Sequence, residues 1–169
     1  MKFCAAIDLG ASSGRIAVGS LDSGSLVIQE VHRFKHEAKA SEDGGLRWEW
    51  AKIVAEVKTG LLKAQEFGEI ISIGIDTWAV DYGLLDAQGN LIEEPYCYRD
   101  SRTDGLMQSI SDSLGAEWIY QRTGIQFIFF NTAYQLRAAR NTAALKGAAT
   151  FLMLPIACFL SDWPTHQYE

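Results

Sequence analysis

The 169-residue chain has only three cysteines, Cys4, Cys97 and Cys158, odd in number and far apart. That excludes a disulfide scaffold of the small secreted kind and suits reduced thiols in the cytoplasm. Long apolar runs are also missing: the longest, Ala148 to Leu160, falls short of the roughly 20 residues a membrane helix needs and is broken by Pro155. Met1 is not followed by a basic segment and an apolar stretch, so no signal peptide is expected. Basic residues are outnumbered, 15 Lys and Arg against 21 Asp and Glu, for a formal charge of −6. A general nucleic-acid surface would need a basic stripe, although main-chain amides could still hold a small anion. Zinc spacing is absent, because His32 and His36 fall in a segment that reads as strand and loop. There is no G-x-S-x-G for acyl transfer, no internal repeat and no low-complexity tract.

With 48% apolar and 21% charged residues, the chain has the length and composition of one folded domain. Its organising stretch is Phe3 to Val18, FCAAIDLGASSGRIAV. Cys4, Ala5, Ala6 and Ile7 carry no charge and predict a strand buried on both faces that delivers Asp8 at its open end. Gly10 and Gly14 bracket Ala11, Ser12 and Ser13, allowing a tight turn whose N–H groups can approach an anion. Arg15 opens RIAVGSL, a strand composition rather than a helix. A Walker loop would need Gly-Lys-Ser/Thr and a following helix, and a dinucleotide fingerprint also needs a helix. Two readings of the hairpin remain: a phosphate-holding turn beside a carboxylate that retains Mg2+ with its waters, or an ordinary Gly/Ser turn.

Ser23 and Gly24 turn the chain into a third strand, SLVIQEVHRF, and Glu37 to Gly45 reads as a surface loop. Trp48 and Trp50 flank Glu49 before a helix with Ile53, Val54, Val57, Leu61 and Leu62 at helical spacing; the tryptophans either face a substrate or pack the helix start. Ile70 to Asp76 predicts a second buried strand, with close backbone approach at Gly74. A hairpin follows, with Ala87 to Asn90 as its turn and Leu91 and Ile92 returning. Asp8, Asp76 and Asp81 would then gather at strand ends near one cleft, unless Asp76 merely caps a turn. In Tyr96 to Thr103, Asp100 between Arg99 and Arg102 is either a structural ion pair or a substrate contact, and Ser101 or Thr103 is the expected cap of the next helix. Glu117 to Arg122 predicts a short helix ended by Thr123-Gly124, and another starts near Asn131 or Thr132. Phe127, Phe129 and Phe130 lie in a loop, lining a pocket or awaiting a partner surface. Lys146 to Ala149 reads as a break.

DLGASSGR (Asp8 to Arg15), GIDTWAVDYGLLD (Gly74 to Asp86), YRDSRTDG (Tyr98 to Gly105), YQRTGIQF and FNTAYQLRA (Phe130 to Ala138) resemble the FGGY family of carbohydrate kinases, in particular its branch acting on L-rhamnulose. The resemblance runs in order over about residues 3 to 155. It implies an α/β, ribonuclease-H-like (actin-like ATPase) domain, with a mixed sheet starting with three antiparallel strands and helices packed on it. It also implies ATP-dependent transfer of a phosphoryl group to the 1-hydroxyl of L-rhamnulose in the cytoplasm, with Mg2+ and with neither nucleic acid nor membrane as partner.

Carried over residue by residue, the resemblance has Asp8 place the metal and Ala11, Ser12, Ser13, Gly14 and Arg15 hold the ATP phosphates. Trp78, Ala79 and Asp81 would meet the sugar, with Asp100, Arg102 and Phe130 as further cleft residues. The family usually has Gly where Ala79 stands and Pro where Phe129 stands. Residues 1–155 read as an incomplete amino-terminal kinase domain, and 156–169, IACFLSDWPTHQYE, as a divergent or truncated tail. The family's general base, in a His-Asp-Thr context, would lie beyond Glu169, so no catalytic residue is expected here and the chain alone should be inactive. Self-association through exposed apolar surface is a further expectation. The alternatives are part of another FGGY ketose or polyol kinase, or a non-catalytic phosphate-binding domain.

Overall fold

The structure, a computed structural model, describes residues 2–155; the expected tail, with Cys158, lies outside the described residues. In chain order the strands and helices are β1 (Lys2–Leu9), β2 (Ser13–Asp22), β3 (Ser25–Lys35), β4 (Ala38–Ala40), β5 (Leu46–Trp48), α1 (Trp50–Gln65), β6 (Glu69–Thr77), β7 (Tyr82–Leu85), α2 (Leu106–Leu114), α3 (Ala116–Thr123), α4 (Thr132–Ala139), α5 (Ala143–Gly147) and β8 (Thr150–Met153). A 3-10 turn at Ser101–Thr103 precedes α2. The chain forms two compact units.

The first unit gathers, among the described residues, 2–38, 49–79 and 154–155. Its sheet has the order β3-β2-β1-β6, with β1, β2 and β3 antiparallel in succession and β6 parallel to β1. The β2–β3 turn is Ser23-Gly24, both at positive φ (50° and 84°), the backbone sense that suits two-residue hairpins. Alternation along the strands turns Ala5, Ile7 and Leu9 of β1, Ile16 and Val18 of β2 and Phe34 of β3 into the core. Helix α1 buries Trp50, Ile53, Val57, Gly60, Leu61 and Ala64. Fully burying each large aliphatic side chain stabilises the fold by about 1.5–3 kcal/mol. A Cβ on Gly60 would sit 2.6 Å from Ile16 Cδ1, so glycine lets the helix lie close on β2.

Several expectations for this unit are corrected. Strand β1 is buried on one face only: Cys4 and Ala6 are exposed, their small apolar side chains having mimicked a strand covered on both sides. Strand β6 forms where predicted but is not a buried strand, since none of its residues is buried and Ile71 is 54% exposed. Gly74 has nothing within 4 Å of an added Cβ, so no close approach explains it. Leu62 points outward from α1, the apolar stripe being carried by Ile53, Val57 and Leu61.

The second unit comprises Lys39–Trp48 and Val80–Met153. The expected surface loop at 37–45 contains β4, which pairs with β5. The hairpin expected after Asp81 is reduced to a single bridge, Leu85 with Leu91, because β7 takes β8 as its partner strand. Helix α3 ends at Gly124 in the left-handed conformation (φ 62°), as Thr123-Gly124 foretold. Neither Ser101 nor Thr103 caps α2: Gly105 stands at that N-cap, while Asp100 caps the 3-10 turn by accepting the Arg102 N–H. The break expected from Lys146 begins only at Ala148, since α5 runs through Gly147.

Candidate functional site

In the first unit the β1–β2 register sets Asp8 opposite Arg15 and Leu9 opposite Gly14, and no helix leaves the intervening turn. Within it Gly10 N–H donates to Ser13 O at 2.9 Å, and His36 N–H of the neighbouring segment donates to Ser12 O at 3.2 Å. Ala11 and Ser12 are exposed, and among the described residues no hydrogen bond engages either N–H. These are the donors an anion would meet. The tight turn expected between Gly10 and Gly14 forms without a positive φ at either. Gly14 is instead a packing glycine, because an added Cβ would lie 2.3 Å from Phe34 Cζ and 2.8 Å from Leu9 Cδ2.

Arg15 Nε donates to Asp8 Oδ2 at 2.6 Å, and the two side chains are 51% and 41% exposed. An ion pair so open to water contributes only about 0–1 kcal/mol, so either group can be recruited by a ligand. The parallel ladder sets Asp76 of β6 directly beside Asp8, on strands about 4.8 Å apart. Two neighbouring carboxylates fit a hard cation that takes its other ligands from water and phosphate oxygens, as Mg2+ does. Among the described residues no group of three or more His, Cys, Asp or Glu side chains could hold a metal by itself. His32 is engaged elsewhere, its Nε2 2.7 Å from Glu56 and its Nδ1 3.0 Å from Lys63. Also in this unit, the Trp78 ring lies 5.4 Å from that of His36, and Ala79 is exposed.

In the second unit the predicted residues form a hydrogen-bonded constellation. Asp81 is fully buried: Oδ2 accepts from Trp48 Nε1 at 2.7 Å and Tyr98 N at 3.1 Å, and Oδ1 accepts from Gln135 Nε2 at 2.9 Å. Asp100 is also buried and accepts from Leu46 N (2.6 Å) and Arg102 N (2.8 Å), with Arg102 Nε 4.0 Å away. Both of those donors are main-chain N–H groups, with the Arg102 guanidinium at the edge of ion-pair distance. The Arg102 guanidinium lies 3.7 Å from the centre of the Tyr96 ring, and Arg47 lies 3.8 Å from it. Burial pushes the Tyr96 hydroxyl above its usual range although Arg47 opposes this, and burial pushes the nearby Cys97 thiol up to about 11. Phe130 meets Tyr98 at 5.2 Å and Phe129 at 5.1 Å between ring centres.

Sequence reasoning missed Gln135, Thr132 and Tyr96. Gln135 on α4 is 1% exposed; its Nε2 lies 3.0 Å from Val80 O and 3.1 Å from Phe130 O, and its Oε1 accepts from Arg102 Nη2 at 2.8 Å. Thr132 Oγ1 also donates to Val80 O, at 2.8 Å. The available signal was a glutamine flanked by Tyr134 and Leu136, inside the apolar pattern of a helix.

Against known proteins, the family described as the FGGY family of carbohydrate kinases, N-terminal domain, matches residues 3–161. A protein of Mannheimia succiniciproducens named rhamnulokinase is 46% identical over 156 residues, 89% of this chain and 32% of its own length. Rhamnulokinases of Klebsiella pneumoniae and Ligilactobacillus salivarius are 45% and 42% identical over 92% of this chain. This chain therefore spans about a third of the length of the relatives it matches. Among solved structures, a xylulose kinase and a gluconate kinase, both of Lactobacillus acidophilus, superpose with TM-scores of 0.76 and 0.77 at 16% identity, over 89% and 90% of this chain and 31% of each of theirs. That likeness establishes the expected actin-like fold. The family match, which covers nearly the whole chain, places it in the FGGY family of carbohydrate kinases, as their N-terminal domain.

Proposed function

We propose that this chain supplies the phosphate-facing hairpin and the sugar-facing loops of an ATP-dependent L-rhamnulose kinase. The observation that carries the reading is 42–46% identity to proteins named rhamnulokinase over 89–92% of this chain, whose family match at residues 3–161 includes both the Asp8 to Arg15 hairpin and the loops around Asp81. In the reaction, the sugar's 1-hydroxyl oxygen forms a bond to the γ-phosphorus while the bridging oxygen departs with ADP. The hydroxyl proton passes to a base. Ala11, Ser12, Ser13, Gly14 and Arg15 hold the phosphates through main-chain amides, hydroxyls and the guanidinium, and Arg15 leaves Asp8 to do so. Asp8, with Asp76, would hold Mg2+ through its waters, and the ion would offset charge on the phosphate oxygens.

For the sugar, the residues carried over from the family are Trp78 and Ala79 in the first unit and Asp81, Asp100, Arg102 and Phe130 in the second. Asp81 and Asp100 are buried and contribute through the loops whose donors they hold. Both carboxylates are buried in those loops, and the hydroxyl proton is assigned to a base elsewhere. Free Cys4 and Cys97 suit a cytoplasmic setting. The exposed side chains of Leu26, Val27, Ile28, Ile71 and Phe129 support self-association, which light scattering across a concentration series reads as a rising mass and a constant monomer mass overturns.

Ligand-observed NMR on the 169-residue chain tests the function. Saturation transfer to L-rhamnulose, and not to D-xylulose or glycerol, is expected. Transfer to D-xylulose alone would assign another ketose, and binding of MgATP with no sugar binding would leave a phosphate-binding domain.

A further inference from the structure

The sugar-facing residues of the second unit meet at one side chain outside that set. Gln135 alone, among the described residues, touches Val80, Asp81, Phe130 and Arg102 together. Its amide nitrogen lies within 3.1 Å of the Val80 carbonyl, the Asp81 carboxylate and the Phe130 carbonyl, and its amide oxygen takes the Arg102 guanidinium. An amide nitrogen has two donor hydrogens, so three acceptors around it engage both, one of them shared, and with the guanidinium on the oxygen they fix its orientation. Asp81 in turn holds the indole of Trp48 and the main chain of Tyr98. A buried polar side chain engaged at both its donor and its acceptor end specifies one arrangement of the loops around it.

We propose that Gln135 is a positioning residue for the sugar site: without touching the sugar, it sets segment 80–81, the Phe130 loop and Arg102 in one mutual geometry. This rests on the sugar-kinase reading. No neutral apolar side chain of similar shape can replace it, because two carbonyls, a carboxylate and a guanidinium would each lose a partner inside the protein.

The test compares the wild-type chain with Gln135→Met and Gln135→Glu, reading L-rhamnulose affinity by NMR titration, the Trp48 indole N–H signal, and amide exchange of α1. Gln135→Met should bind L-rhamnulose at least about 10-fold more weakly, on the scale of displaced supporting groups. The Trp48 indole signal should shift while α1 protection in the first unit is unchanged. In Gln135→Glu, the ionised carboxylate would face buried Asp81 on one side and Arg102 on the other, with Asp100 behind Arg102. Proton uptake restores a donor toward Asp81, so its sugar affinity should improve as pH falls from 8 to 5.5, where the wild type stays flat.

Unchanged sugar affinity in Gln135→Met would overturn the proposal, as would a loss shared equally by α1 protection. If the wild-type chain binds no L-rhamnulose, the sugar-kinase reading fails. The Trp48 indole then separates the two failures: a shift in Gln135→Met means that Gln135 sets these loops but not for a sugar, and an unmoved signal overturns the positioning role as well.

Discussion

Gly14 carries two demands that the sequence alone does not separate, a turn beside a phosphate and a floor beneath an aromatic ring. The second is the one visible in the packing, with Phe34 Cζ 2.3 Å from where a Cβ would stand. Gly14→Ala should therefore destabilise the chain by about 1–3 kcal/mol through overpacking, outweighing the roughly 0.5–1 kcal/mol that alanine gains over glycine within a regular element. Urea unfolding measures the loss. Phe34→Leu in the Gly14→Ala background should return part of it if the ring is the obstacle, and an additive double variant would place the cause elsewhere. At this scale legibility was uneven. Asp8, Arg15, Asp81 and Arg102 stood out because charge beside apolar runs is conspicuous. What each one does was hidden, since Asp81 turns inward to Trp48 and Gln135, partners brought to it only by folding. Gln135 looked like one polar residue in a helix.

Elements built from local pattern were legible: the β1–β2–β3 meander, α1 with its Ile53, Val57 and Leu61 stripe, and α3 with its Gly124 stop all follow from spacing and turn chemistry. Strand β8 was not, because β7 has a nearer stretch at Leu91 and Ile92 with an equal claim on it by sequence. The pairing of β1 with β6 has a testable electrostatic consequence. It sets the Asp8 and Asp76 carboxylates side by side, where like charges repel. Asp76→Asn should raise the melting temperature in metal-free buffer, and millimolar Mg2+ should raise that of the wild type more than that of the variant. Equal response to Mg2+ would remove Asp76 from the proposed metal site. The turn into β5 gives a second expectation. Arg47, then Ser41 and the Gly45 N–H, hold the Asp43 carboxyl well below the usual carboxylate range. A carboxyl lowered in the folded state adds stability above its unfolded pKa of about 3.9, and that stability is lost as pH falls below it. Melting curves from pH 6 to pH 2.5 should fall more steeply for the wild type than for Asp43→Asn, and parallel curves would contradict the assignment.

For the whole molecule, the decisive relation is between phosphoryl transfer and completeness of the site. The reaction asks little covalent chemistry of a protein; its rate comes from in-line positioning and from charge stabilisation around the transferred group. This chain offers amide donors, two neighbouring carboxylates and, in the second unit, buried Asp81 and Asp100 that both accept hydrogen bonds. On the proposed reading the general base is not among these residues, and lacking one removes about 100- to 10,000-fold in rate. The purified 169-residue polypeptide should therefore give no L-rhamnulose-dependent ADP release above buffer in a coupled assay, while still binding the sugar. Because the chain spans 32% of the Mannheimia succiniciproducens rhamnulokinase, the remaining part of that protein can be added in trans. ADP release that appears only in the mixture, and falls when Arg15 is replaced by Ala, would tie the hairpin to the phosphates. Turnover by the lone chain would mean that a base has been overlooked within it, and Asp76, the exposed carboxylate beside Asp8, would be the first to replace.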